Sequence, residues 1–354
     1  MTTAVDHHAY TRRAGMAMAA ALVLGCLCSG CGRGAGGGTG GGTPIPECPA
    51  NIGAPDELFV TTLSGNSVVG FCIGGNGRLV TPPFRVLRGQ QTGLHNPMSV
   101  SVRGAGDIYV ANLGDASSGP SVTQYAVGAD GDTAPVRTLQ GVGTGLSLPN
   151  GIHASDWPGI LVSNWDSSSP PSGTVGVIEF SLDSAITLPT GGISGNLTTM
   201  TGPMSVAVAN QQRVFVAEPG SNRILGWMLQ PGTQLNRAPD ITIAGGKTLL
   251  NQPMGVAFDG TGQIYVVNKG NSSITVYPAN ATGDVDAIRR IGGPGSTSTL
   301  LSSPDAIAVD RSGRIYVSQT NVILVFAAGA NGPVAPLQVV NDPALSAPMG
   351  IYLH

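Results

Sequence analysis

From about residue 54 onward, short apolar runs alternate with turns rich in glycine, proline and asparagine. A Leu or Met stands three residues ahead of a proline at Leu94/Pro97, Leu146/Pro149, Met200/Pro203, Leu250/Pro253, Leu301/Pro304 and Leu345/Pro348. These prolines recur at intervals of 52, 54, 50, 51 and 44 residues, so the chain repeats a unit. After each proline comes a run of strand character: "SVSV", "GIHA", "SVAV", "GVAF", "AIAV" and finally "GIYL". In Val206-Ala207-Val208 and Ile307-Ala308-Val309 large and small residues alternate, which lets a large side chain fill space beside a neighbour's small one.

A turn such as "DGTG" (259–262) or "DRSG" (310–313) precedes a second run: "DIYVAN", "GILVSN", "RVFVAE", "QIYVVN" and "RIYVSQ". These runs are apolar at nearly every position, the pattern of a strand covered on both faces. Phe59, Tyr109, Phe215, Tyr265 and Tyr316 fall in one column, with Leu161 as the exception. Third runs ("SVTQY", "TVGVIEF", "RILGW", "SITVY", "VILVF") and fourth runs ("VRTL", "ITIA", "IRRI", "LQVV") follow, the third copy's fourth strand being weakly marked around Ile193. Four short strands per unit with glycine-rich connections predict an all-β fold of propeller blades. The earliest run, "ELFVTT" (57–62), has no proline-headed strand before it, whereas the last proline-headed run, "PMGIYL" (348–353), has no second run of its own. The expected architecture is therefore a six-bladed β-propeller of four-stranded antiparallel blades over residues 54–354, its C-terminal strand pairing with the N-terminal blade.

The repeat "PMGVAFDGTGQIYVVN" resembles the NHL repeat, whose core reads like P-x-G-V-A-V-D-x-x-G-x-I-Y-V-A-D. The resemblance spans roughly residues 54–354, with longer intervals than that family uses and several copies lacking its Asp. It implies the propeller fold. Some six-bladed relatives in the wider superfamily are metal-dependent lactonases, lyases or hydrolases.

Ahead of the repeats, "TRRAGMAMAAALVLGCLCSGC" (11–31) sets two arginines before an apolar run that ends in small residues and cysteines. The run is too short and too interrupted by Gly and Cys for an ordinary membrane span. It resembles a bacterial lipoprotein signal peptide, which implies cleavage before a lipidated cysteine. Cys31, after Ser29-Gly30, fits best; Cys26 is the alternative, and simple secretion with cleavage near Gly30 is another. The expected division is a signal peptide over 1–30, a Gly/Pro-rich tether over 31–53 and the propeller over 54–354. Cleavage at Cys31 leaves Cys48 and Cys72 as the unmodified thiols, an even pair suited to a disulfide outside the cytoplasm.

The formal net charge of −3 and the 10% content of charged residues supply no basic footprint for nucleic acid. "GRGAGG" matches a dinucleotide-binding pattern only nominally, with no strand before it and no helix after it. In propellers of this kind the turn after the second strand approaches the central channel. Here it carries Thr62, Asn112, Asn164, Glu218, Asn268 and Gln319, with Asp115, Asp166, Trp165 and Lys269 nearby. Asn112, Asn164, Glu218, Asn268 and Gln319 are thus ligand-binding candidates for a sugar, a peptide or a weakly held divalent cation. The alternative is that they hydrogen-bond backbone at strand ends, as Asn does in turns. No G-x-S-x-G elbow occurs, and His95, His153 and His354 have no helical metal-binding spacing. No catalytic residue, dedicated metal site or cofactor is expected. The leading expectation is a lipid-anchored, extracytoplasmic protein of the bacterial cell envelope that binds a protein, peptide or glycan without catalysis. The alternative is a metal-dependent lactonase- or lyase-like enzyme using Glu218 with Asn112, Asn164 and Asn268.

Overall fold

The computed structural model describes Cys48 and residues 57–354, apart from 105, 156, 167–174 and 211. The expected signal peptide, both candidate lipidation cysteines (Cys31 and Cys26) and nearly all of the tether lie outside the described residues. Among the described residues no helix is long and apolar enough to cross a membrane.

The strands form six sheets arranged as the blades of a β-propeller. Blade 1 is composite: Pro348–Leu353, Glu57–Thr62, Ser67–Cys72 and Arg85–Leu87, in that order from the axis outward. Blades 2 to 6 follow in chain order, with first strands at Pro97–Arg103, Leu148–His153, Ser205–Ala209, Pro253–Phe258 and Ala306–Val309. Closure is direct, with Leu58 opposite Leu353, Phe59 opposite Tyr352 and Val60 opposite Ile351. Glu57 N and His354 N each donate 2.9 Å to the other residue's carbonyl oxygen. The fourth strand of blade 3, weakly marked in sequence, runs Pro189–Ser194.

Six apolar clusters hold the ring together, one between each pair of neighbouring blades. This explains why the second strands are apolar throughout, since both faces of each blade meet another blade. The aromatic column is buried, and Phe59 and Phe215 each stand opposite a glycine of the third strand (Gly70 and Gly226). The Phe215 ring is so close that a Cβ on Gly226 would sit 3.0 Å from it.

A second belt runs around the outside. The connection from third to fourth strand reaches back to the previous blade, where Gly131, Gly283 and Gly332 form parallel bridges to Leu87, Ile243 and Ile291. These glycines have φ of 61°, 77° and 75°, a left-handed conformation that glycine takes without steric cost. In blade 4 the same connection forms a short strand, Gln234–Leu235, added in parallel to blade 3 as its fifth strand. Between blades 1 and 6 the Gln338 side chain continues the belt, accepting from Leu79 N at 2.8 Å and donating to Leu79 O at 2.9 Å. Cys48 and Cys72 form a disulfide that ties the chain ahead of blade 1 to the end of its third strand.

Candidate functional site

The approach to each first strand is a small device that repeats in sequence. Thr92, Thr144, Thr198 and Thr248 are buried, each donating its hydroxyl to a glycine carbonyl three residues back. Each Thr Oγ1 also accepts the N–H of the Leu or Met two residues on. The proline follows, opposite a residue at or next to the end of the second strand: Pro97 with Asn112, Pro149 with Asn164, Pro253 with Asn268, Pro348 with Thr62. These prolines and second-strand ends share one face of the ring, the proline face. In blades 1, 2, 3 and 5 the register then shifts, a β-bulge that leaves the residue after the proline outside the ladder. Bulges re-aim a side chain. Here they turn it toward the axis.

The six first strands enclose a central cavity of about 310 Å³. Its rim on the proline face is formed by the post-proline residues, in order around the ring Met98, Asn150, Met204, Met254, Asp305 and Met349. Below them lies a belt of small residues: Ser99, Gly151, Ser205, Gly255, Ala306 and Gly350. Neighbouring backbones nearly touch there. A Cβ on Gly350 would lie 2.6 Å from Met98 O, and one on Gly151 would lie 2.8 Å from the Ser205 Cα. Val100, Ile152, Val206, Val256, Ile307 and Ile351 follow, and Phe258, Tyr352 and Leu353 line the far end with His153 and Ser155. The Ser155 hydroxyl is 3.4 Å from His153 Nε2. The lining is thus mixed and apolar by a modest margin, its Met, Val and Ile side chains accompanied by the belt serines and by polar groups at the ends.

None of the five ligand-binding candidates is in this lining. All are buried, each in its own blade, and most of their polar atoms are occupied. Asn164 Oδ1 accepts from Ser147 N at 2.9 Å, Asn268 Oδ1 from Asn251 N at 3.1 Å and Gln319 Oε1 from Ser302 N at 2.9 Å. Glu218 Oε1 accepts from Thr201 N and Gly202 N, while Arg223 donates to its Oε2 at 2.7 and 3.2 Å. Asn112 donates to Thr123 Oγ1 at 3.1 Å, and its Oδ1 is buried without a partner. Thr62 bonds Ser67 within the hairpin. In four blades, then, the column is a latch between the end of the second strand and the residue after the Leu/Met landmark. A buried N–H left unmet there would cost about 1–3 kcal/mol.

Other sequence candidates decorate the proline face. Lys269 Nζ lies 2.6 Å from Asp305 Oδ1, placing an ion pair at the cavity rim. The Trp165 indole is 37% exposed and passes over Gly202, just before Pro203-Met204. Asp115 accepts from the Ser117 hydroxyl and pairs with His95 at 2.8 Å, and these bonds hold its carboxyl well below the ordinary carboxylate range. Among the described residues no three His, Cys, Asp or Glu side chains converge in a metal-binding group.

The methionine rim was legible and missed. "PM" occurs at four of the six landmark prolines, but the residue after the proline looks like an ordinary strand position until the bulge is known.

No family model matches the chain, and no curated protein matches its sequence. Solved structures do. A chain of a nidogen/laminin complex aligns with a TM-score of 0.60 at 12% identity, over 84% of this chain and 98% of that one. A candidate 6-phosphogluconolactonase from Bacteroides fragilis aligns at 0.56 and 14% identity, over 87% of this chain and 100% of that one. The WD40 propeller domain of Doa1 aligns at 0.52 and 12% identity, covering 81% and 79%. The likeness is one of fold. It is shared by proteins of quite different kinds, so function is argued from the site.

Proposed function

We propose that this chain is a binding protein of the bacterial cell envelope, held outside the cytoplasm by lipid on Cys31, whose propeller recognises a protein or peptide at the proline face without catalysis. The repeats are read as NHL-like on the strength of "PMGVAFDGTGQIYVVN". The observation that carries the reading is the cavity: thioethers and branched aliphatic groups line it, an exposed tryptophan stands near its rim, and the one acid of the latch column is engaged by Arg223. Such a lining suits an apolar side chain of a partner, whereas a sugar needs polar groups around it. The rigid ring presents the face without rearrangement, which lowers the entropic cost of binding. The Cys48–Cys72 disulfide supports an oxidising compartment.

The test is selection of peptides from a random display library on the purified protein, followed by affinity measurement against Met254→Lys. Met254 is partly exposed at the rim, so the lysine is accommodated while a charge enters the pocket. Selected peptides should carry apolar anchors and bind the variant at least about tenfold more weakly, a loss of about 1.4 kcal/mol. Peptides indifferent to the change, or no enrichment at all, would refute the reading.

A further inference from the structure

Methionine is placed selectively in this chain. Six methionines follow residue 57, and four of them, Met98, Met204, Met254 and Met349, stand at the cavity rim. Of the other two, Met200 is a buried landmark residue and Met228 is exposed. Packing does not ask for methionine at the rim. The positions are only partly buried, and methionine specifies a packed arrangement poorly because its side chain is so flexible. What it adds over leucine is a polarizable sulfur.

Geometry gathers the four sulfur-bearing side chains. The rim order makes Met349 and Met98 neighbours and Met204 and Met254 neighbours, so two methionine pairs face each other across the axis. At Met98, Met254 and Met349 a bulge takes the residue out of the ladder and turns it to the channel. Met349 and Met98 are carried on backbones in contact, as the 2.6 Å approach of a Gly350 Cβ to Met98 O shows. Asn150 and Asp305 fill the two positions between the pairs, adding an amide and a carboxylate that is already paired with Lys269.

We propose that this rim is a binding site for a soft monovalent cation, of the class of Cu(I) and Ag(I), held by methionine thioethers. Hard cations require several oxygen ligands, which the rim does not assemble, whereas thioether donors select Cu(I). The choice of thioether also fits the disulfide-bonded state of Cys48 and Cys72: where thiols pair, methionine remains a soft donor that cannot form a disulfide. The ion fixes the four flexible side chains in one arrangement and closes the cavity on the proline face. The site stands independently of the lipid anchor and of the proposed peptide partner.

The experiment uses the full chain with Cys26, Cys28 and Cys31 changed to Ser, so that free thiols do not bind the metal. Cu(I), kept reduced by ascorbate without oxygen, is titrated in competition with a chromogenic Cu(I) chelator, and Ag(I) serves as a redox-inert second probe. One equivalent per chain should be retained, with a sulfur shell in X-ray absorption. The Met98→Leu/Met204→Leu/Met254→Leu/Met349→Leu variant keeps the volume and apolar character of the rim, so it should melt near the parent temperature and bind at least tenfold more weakly. Should the fourfold variant fail to fold, the pairs Met98→Leu/Met349→Leu and Met204→Leu/Met254→Leu are each expected to show the loss. Equal binding by the leucine variants, a nitrogen or oxygen shell, or no competition with the chelator would overturn the proposal. Metal retention is measured without peptide, so its absence overturns this site alone, whereas failed peptide selection overturns the recognition reading alone.

Discussion

At the scale of single residues, the polar groups inside this propeller are mostly structural. Glu218, with its one negative charge in the latch column, would be the obvious acid for metal-assisted chemistry, yet its oxygens are filled by two backbone N–H groups and Arg223. Glu179 is similar. It is buried in blade 3, where its carboxylate accepts from Trp157 Nε1 and Gly232 N, each at 2.9 Å. Burial raises its pKa above 4.5, and the two hydrogen bonds only partly offset this. The folded protein therefore holds the proton more tightly than the unfolded chain. The Glu179 contribution to stability is fully present below 4.5 and is lost as pH rises through its folded value. Glu179→Gln removes that titration. Urea unfolding across pH 4.5 to about 8 should show the native protein losing stability relative to the variant as pH rises. Parallel stability curves would contradict the assignment.

At the scale of elements, the last strand carries the largest consequence. Pro348–Leu353 is the innermost strand of blade 1, and it contacts the first strands of blades 2 and 6 as well as Glu57–Thr62. Deleting residues 346–354 exposes Leu58, Val60 and part of the cluster between blades 1 and 6. Ile351 alone accounts for about 1.5–3 kcal/mol of buried apolar surface. The lost strand pairing adds to this, against a total stability of about 5–15 kcal/mol for a domain. The expected result is a melting temperature lower by about 5 °C or more. An unchanged value would mean that the strand is not integral to the ring. The sequence anticipated this pairing because the proline-headed unit is missing at one end of the array and present at the other. The five-stranded sheet of blade 3 was not anticipated, since Gln234–Leu235 is too short to register as a strand.

At the scale of the whole molecule, blades packed face to face leave one axial cavity and two faces, and the proline face holds the rim methionines, Trp165 and the Lys269–Asp305 pair. If Cys31 carries lipid, the glycine-rich stretch after it links the propeller to the anchor. Cys31→Ala should abolish incorporation of radiolabelled palmitate when the gene is expressed in bacteria, and persistent labelling would move the anchor to Cys26 or elsewhere. Periodicity alone determined the fold, because apolar alternation and landmark prolines repeat often enough to fix the four-strand unit, the blade number and the closing pair. The Cys48–Cys72 pairing was expected from the cysteine count only together with cleavage at Cys31, and the structure forms that disulfide. Which residues face the axis was decided only by tertiary structure. A one-residue bulge after the proline swings Met98, Met254 and Met349 into the channel, and the polar column expected there hydrogen-bonds backbone N–H groups at the strand ends instead. A side chain's direction depends on the register of its partner strand, and no single strand's sequence records that register.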